Sequence, residues 1–110
     1  MRTEELHEVL EHHKKWLAGV GGKRANLQGA DLRCANLQGA NLRDASLDYS
    51  VWPLWCGTQD VVVDIKLVRQ LLAHVCAVKC DDPEFDEVKN LIMPYASKSH
   101  RASDLGLKGN

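Results

Sequence analysis

Residues 25–49 read ANLQG ADLRC ANLQG ANLRD ASLDY, five consecutive blocks of five that share the pattern Ala-[Asn/Asp/Ser]-Leu-x-x. Alanine recurs at 25, 30, 35, 40 and 45, and leucine at 27, 32, 37, 42 and 47. A period of five matches neither the 3.6 of an α-helix nor the 2.0 of a strand. On a helix, successive leucines would advance about 140° beyond a full turn and smear over every face. On a strand they would alternate between faces. Strict recurrence at this period points to a solenoid in which each block is one structural unit.

The stretch resembles the pentapeptide-repeat family, whose pattern is A-[D/N]-L-x-x. Five tandem matches at both key positions make the resemblance specific. It implies a right-handed quadrilateral β-helix with one block per side and four per coil. Leu27, Leu32, Leu37, Leu42 and Leu47 would then point inward as the structural core, sharing the interior with the five alanines. Asn26, Asp31, Asn36, Asn41 and Ser46 would sit at turns, where short polar side chains bond nearby backbone. Gln28, Arg33, Gln38, Arg43 and Asp48 would face water. Twenty-five residues make only about one and a quarter such coils. Repeat arrays need several units and polar caps, so the flanks must supply much of the core.

The flanks read as helices. Residues 3–18, TEELHEVLEHHKKWLA, place Leu6, Val9, Leu10, His13, Trp16 and Leu17 on one helical face. Thr3 is the candidate N-cap, and Gly19, Gly21 and Gly22 stop the helix. This helix is expected to cap the first coil, with Trp16 over its open end. Residues 50–60, SVWPLWCGTQD, carry two tryptophans. Ser50-Val51-Trp52 extends the repeats as a degenerate block, possible to residue 54, before Pro53 breaks the register. The segment reads either as a buried plug or as an exposed aromatic hot spot at Trp52 and Trp55. Val61–Val63 is a short strand or extended segment. Asp64 can cap a helix running to about Lys79, with Val68, Leu71, Leu72, Val75 and Cys76 inward. Asp82-Pro83-Glu84 starts another, with Phe85, Val88, Leu91, Ile92 and Tyr95 inward and Pro94 kinking or ending it. From Ser97 to Asn110 the chain is polar and reads as a flexible tail.

The expectation is therefore one α+β domain over residues 1–110: a capping helix at 3–18, repeats at 25–49, a C-terminal helical hairpin within 61–96, and a tail at 97–110. A net charge of −1 supplies no global field for nucleic acid or membrane, and direct nucleic-acid binding is not expected. The first twenty residues hold no apolar run, so no leader is expected, and no stretch suggests a membrane span. Four cysteines without a leader suggest a reducing cytoplasm. A zinc site would draw on Cys56, His74, Cys76 and Cys80. However, His74 would point nearly opposite to Cys76, and no C-x-x-C pair occurs. Free thiols, no metal and no cofactor are the expectation. The five histidines form no catalytic set, and neither a nucleophile motif nor a phosphate loop is present. No enzyme is read here.

Asp81, Asp82, Glu84, Asp86 and Glu87 put five acids in seven residues. They suit a helix N-terminus, and they also offer an acidic patch to a basic partner. The order of elements resembles small pentapeptide-repeat proteins encoded in bacteriophage genomes. That resemblance implies a non-enzymatic protein acting in the cytoplasm of an infected bacterial host, as an inhibitor of host defence. Its partner would be a host protein such as a CRISPR nuclease, or a small nucleotide signal. Alternatives are a DNA mimic acting on gyrase and a structural or assembly protein of the phage. The repeat block's three acids against two bases are a thin charge for a mimic of duplex DNA. A short array exposing edges, flanked by many large apolar side chains, further suggests a homodimer or larger homo-oligomer through Trp52–Trp55 or the helix Asp82–Met93.

Overall fold

Each five-residue block closes a turn in the computed structural model, which describes residues 2–107. The N–H groups of Ala30, Ala35, Ala40, Ala45 and Ser50 donate to the carbonyls of Leu27, Leu32, Leu37, Leu42 and Leu47 at 2.9–3.1 Å. The polar residue before each leucine explains its identity. The Asn26, Asp31, Asn36 and Asn41 side-chain oxygens accept from the N–H two residues ahead, at 3.1–3.2 Å. These Asx turns need a short side chain with an acceptor at that position. The residue closing the turn takes positive φ at Gly29 (69°) and Gly39 (70°), and at the non-glycine residues Asp44 (61°) and Tyr49 (64°).

The chain then passes over itself. The N–H groups of Leu27, Leu32, Leu37 and Leu42 donate to the carbonyls of Ser46, Val51, Gly57 and Val62 at 2.7–2.9 Å. In return, the N–H groups of Ser46, Val51 and Val62 donate to Ala25, Ala30 and Ala40 at 2.7–3.0 Å. All five repeat leucines are buried between these turns, from Leu32 and Leu37 at 0% exposed to Leu47 at 8%.

The expected quadrilateral β-helix, and with it the α+β class, is overturned: the described residues contain no strand, no sheet and no β-helix, and 43% of the structure is helical. Pairing stops at three isolated parallel bridges, Asn26 with Ser46, Asp31 with Val51 and Asn41 with Val62. The reason is local. Two of every five residues are spent in a turn, which leaves each extended piece too short for a bridge to lengthen into a ladder. Val61–Val63 likewise forms no strand; Val62 makes a single bridge.

The described residues divide into two compact units between Asp64 and Ile65. In the first unit, α1 spans Thr3–Ala18 and ends at Gly19 in the left-handed conformation. Its N-cap is Arg2, whose side chain makes no capping bond and instead donates to Glu5 at 2.9 Å, so Thr3 is the first helical residue and not the cap. Trp16 does not cover the coil's end as expected; it is 40% exposed and stacks on the His13 ring. The buried contact is His13 itself. Nδ1 accepts from the Ala25 N–H at 3.0 Å, and Nε2 bonds the Arg43 carbonyl at 2.7 Å. In the 50–60 segment the buried side chain is Pro53, while Trp52 is half-buried. A 3₁₀ turn follows at Cys56–Thr58. The Asp64 carboxylate accepts from the Asp44 N–H at 2.9 Å.

In the second unit, α2 (Ile65–Ala77) and α3 (Pro83–Ala96) pack on a thin core of Ala73, Cys76 and Ala96. Leu72, Ile92, Met93, Leu105 and Leu107 lean on this core. Asp82 caps α3 by accepting from the Glu84 N–H at 2.8 Å, with Pro83 in the first turn. Pro94 does not end α3: so close to the C-terminus it removes little of the ladder. Val68 and Val75 of α2, and Val88, Leu91 and Tyr95 of α3, were expected inward and are instead exposed. Close contact through alanines turns a different side of each helix inward. Ser97–Leu107 forms successive hydrogen-bonded turns with Ser99 and Ala102 buried. No described helix is long and apolar enough to cross a membrane.

Leu37→Asp is expected to abolish the cooperative thermal transition followed by circular dichroism, since it buries an unpaired charge where no surface is exposed. Arg33→Ala is expected to stay within about 0.5 kcal/mol, because its ion pair with Asp31 is solvent-exposed. Equal effects would refute the leucine-inward register. At Tyr49, a bulky residue held at positive φ, Tyr49→Gly is expected to raise stability by about 0.5–1 kcal/mol, read as a higher melting temperature.

Candidate functional site

Two surfaces of the first unit can meet a ligand. One is a cleft of about 440 Å³ between α1 and the second and third repeat blocks. Helical spacing sets Thr3, Leu6, His7 and Leu10 along one wall. Asp31, Arg33, Cys34, Ala35 and Asn36 form the other. The Asp31 side chain has two tasks there. Oδ1 closes the Asx turn on the Arg33 N–H, and Oδ2 pairs with the Arg33 guanidinium at 3.0 Å. The cleft thus combines the Asp31–Arg33 ion pair, the His7 imidazole, the Cys34 thiol, the Asn36 amide and the apolar side chains of Leu6 and Leu10. This mixture suits a small polar ligand that exchanges contacts with the ion pair.

The other surface is the knuckle Val51–Trp55. Its chain reverses around buried Pro53, which leaves Val51 47%, Leu54 98% and Trp55 46% exposed. The Trp55 ring lies against the Gly57 backbone: a Cβ at Gly57 would fall 2.5 Å from Trp55 Cε2 and 2.6 Å from the Ala35 carbonyl oxygen. Gly57 is therefore fixed by close approach. Gln38 steadies the following turn by donating from Nε2 to the Cys56 carbonyl at 2.9 Å.

The structure places Trp52 and Trp55 in the first unit and the acids of residues 81–87 in the second. Asp81, Asp82, Glu84, Asp86 and Glu87 are all exposed. Asp82 is occupied as the cap of α3, and Glu84 and Asp86 lie in its first turn, where the helix dipole favours them. Sequence reasoning missed the cleft, because His7 and Cys34 carry no motif and become neighbours of one cavity only through the fold. It also missed the role of His13, although a histidine inside an apolar helical stripe was a usable signal.

Cys34, Cys56 and Cys80 are exposed free thiols, and Cys76 is buried. Burial pushes the Cys76 thiol above the ordinary cysteine value, against a smaller downward pull from Lys89. Among the described residues no group of three or more His, Cys, Asp or Glu side chains is placed to hold a metal ion.

Residues 23–50 match the family model described as pentapeptide repeats (8 copies). No curated protein and no solved structure matches the chain.

The thiols are expected to separate on alkylation. The thiolate is the reactive form, and Cys76 holds its proton to higher pH than an ordinary thiol. At pH 8, mass spectrometry should find iodoacetamide on Cys34, Cys56 and Cys80, with Cys76 modified only after denaturation. Native labelling of Cys76 at the rate of the others would contradict its burial.

Proposed function

Taking residues 23–50 as pentapeptide repeats, a family that is generally non-catalytic, we propose that this protein acts by binding a protein of a bacterial host cell and so blocks a defence system. The observation that carries the reading is the knuckle Val51–Trp55. Large apolar side chains stand exposed there on either side of buried Pro53, next to the close approach of Trp55 to Gly57. Exposed aromatic and aliphatic side chains are what interface hot spots are made of, and the packing of Trp55 against Gly57 limits the entropy its ring would lose on docking. In this reading the protein works in the cytoplasm of a phage-infected bacterium, and its target is a defence protein such as a CRISPR nuclease. The acids Asp81, Asp82, Glu84, Asp86 and Glu87 favour a target with a basic surface.

The cleft beside α1 supports a second reading, capture of a nucleotide signal. Arg33 and His7 would face the phosphate, and Leu6 and Leu10 would face the base.

The test is capture from bacterial lysate by the tagged protein, compared with a Leu54→Asp/Trp55→Ala variant. Retained helical circular dichroism serves as the control for folding. The protein-binding reading expects the variant to lose affinity for the captured protein by about thirtyfold or more, and to lose protection of phage plating on a defended host. Nucleotide co-purification that persists in this variant and vanishes in Arg33→Ala would replace it with the nucleotide reading. Inhibition of DNA supercoiling by gyrase would replace both with DNA mimicry.

A further inference from the structure

Helix α3 turns one side to the hairpin core, through Ile92, Met93 and Ala96. A separate side carries Glu84, Val88, Leu91, Tyr95 and Lys98, spaced by four, three, four and three residues, which is the spacing of one helical face. Every one of these residues is exposed, with Leu91 at 75%, Tyr95 at 56% and Val88 at 41%. Lys98 lies just beyond the helix but keeps to the face. Ser97 retains helical dihedrals, the Lys98 N–H bonds the Tyr95 carbonyl at 3.1 Å, and Nζ sits 5.8 Å from the centre of the Tyr95 ring.

The order along this face is acid, apolar, apolar, apolar, base. Leu91 is midway, seven residues from Glu84 and seven from Lys98. Such a pattern is complementary to itself when reversed. We propose that the face is a homodimer contact, in which α3 lies antiparallel to α3 of a second copy across a two-fold axis at Leu91. The axis sets Leu91 against the partner's Leu91 and brings Val88 beside the partner's Tyr95, one residue out of exact opposition. Glu84 meets the partner's Lys98, and the symmetry makes that ion pair twice, at points about 21 Å apart along the helix. Glu87, exposed on the same side, adds to the negative end. A parallel pairing would stack Glu84 on the partner's Glu84 and Lys98 on the partner's Lys98, so charge selects the antiparallel arrangement. The contact centres on three apolar side chains per copy, so it belongs at the small end of interface sizes, with a dissociation constant on the order of 10–100 µM. It belongs to the second unit and the knuckle to the first, and it does not depend on what that knuckle binds.

Sedimentation equilibrium of the full chain, from micromolar to millimolar concentration, tests the proposal. Wild type is expected to dimerise and to weaken as salt is added. Leu91→Lys, at an exposed site, should raise the dissociation constant at least about tenfold with helical circular dichroism unchanged. Glu84→Lys and Lys98→Glu should each weaken the dimer about three- to tenfold by setting like charges together. The double variant should recover it, and an equimolar mixture of the two single variants should form the heterodimer in preference to either homodimer. A monomer at millimolar concentration would overturn the proposal. So would a dimer indifferent to Leu91→Lys, or one that the single charge reversals leave unchanged.

Discussion

His13 is fully buried, and both of its ring nitrogens are committed to backbone groups of the repeat stretch. One bond takes the N–H of Ala25, where the first pass of turns begins; the other reaches the carbonyl of Arg43, where that pass ends. A single side chain on α1 thus fixes both ends of a nineteen-residue excursion, Ala25 to Arg43. The two bonds also define the ring's chemistry. Nδ1 must accept, so Nε2 carries the proton and donates, and the imidazole is neutral. Without the histidine, an N–H and a carbonyl would be left inside the protein unpaired, at about 1–3 kcal/mol each. The stacked ring of Trp16, 5.7 Å away, keeps the imidazole in place from its outer side.

That constraint shows why some of the structure could be read from sequence and some could not. The five-residue recurrence gave the positions of the buried leucines and of the turn-forming asparagines, because side-chain identity there follows directly from local geometry. It did not give the extent of pairing. Whether an extended piece becomes a strand depends on how many consecutive residues stay extended between turns and find partners on the next pass, and that is set by how the passes stack, not by any one block. Helix boundaries were legible where a cap announced them, as at Asp82 and Pro83. Inward faces were not. In α2 and α3 the apolar residues outnumber the positions that one neighbouring helix can cover. The choice between Val75 and Ala73, or between Leu91 and Ala96, was decided by how closely two alanines let the backbones approach. The knuckle lay in a segment whose composition allowed both a plug and a hot spot. Pro53 took the buried role and left Leu54 and Trp55 outside. The cleft had no linear signature at all, since its walls come from residues about thirty positions apart.

The two units solve the problem of smallness differently. The first fills its interior with one leucine per turn and ties its backbone down with side-chain acceptors, so little apolar surface is needed for each residue ordered. The second relies on a few small residues between two helices and leaves aliphatic and aromatic side chains in water. A core of this size is marginal for a folded unit.

The three bridges hold a detail with a bearing on descent. Asn26 meets Ser46 and Asp31 meets Val51 at an offset of twenty residues, but Asn41 meets Val62 at twenty-one. The surplus residue falls in the Trp-Pro-Leu-Trp stretch, after which the second pass no longer keeps step with the first. Gene duplication could therefore lengthen this array only upstream of that slip, and only by four blocks at a time. Any other increment would rotate each later block onto the wrong side of its neighbour. Beyond Val62 the second pass stays one residue out of step with the first, so a further pass built block for block would not stack on it in the same register.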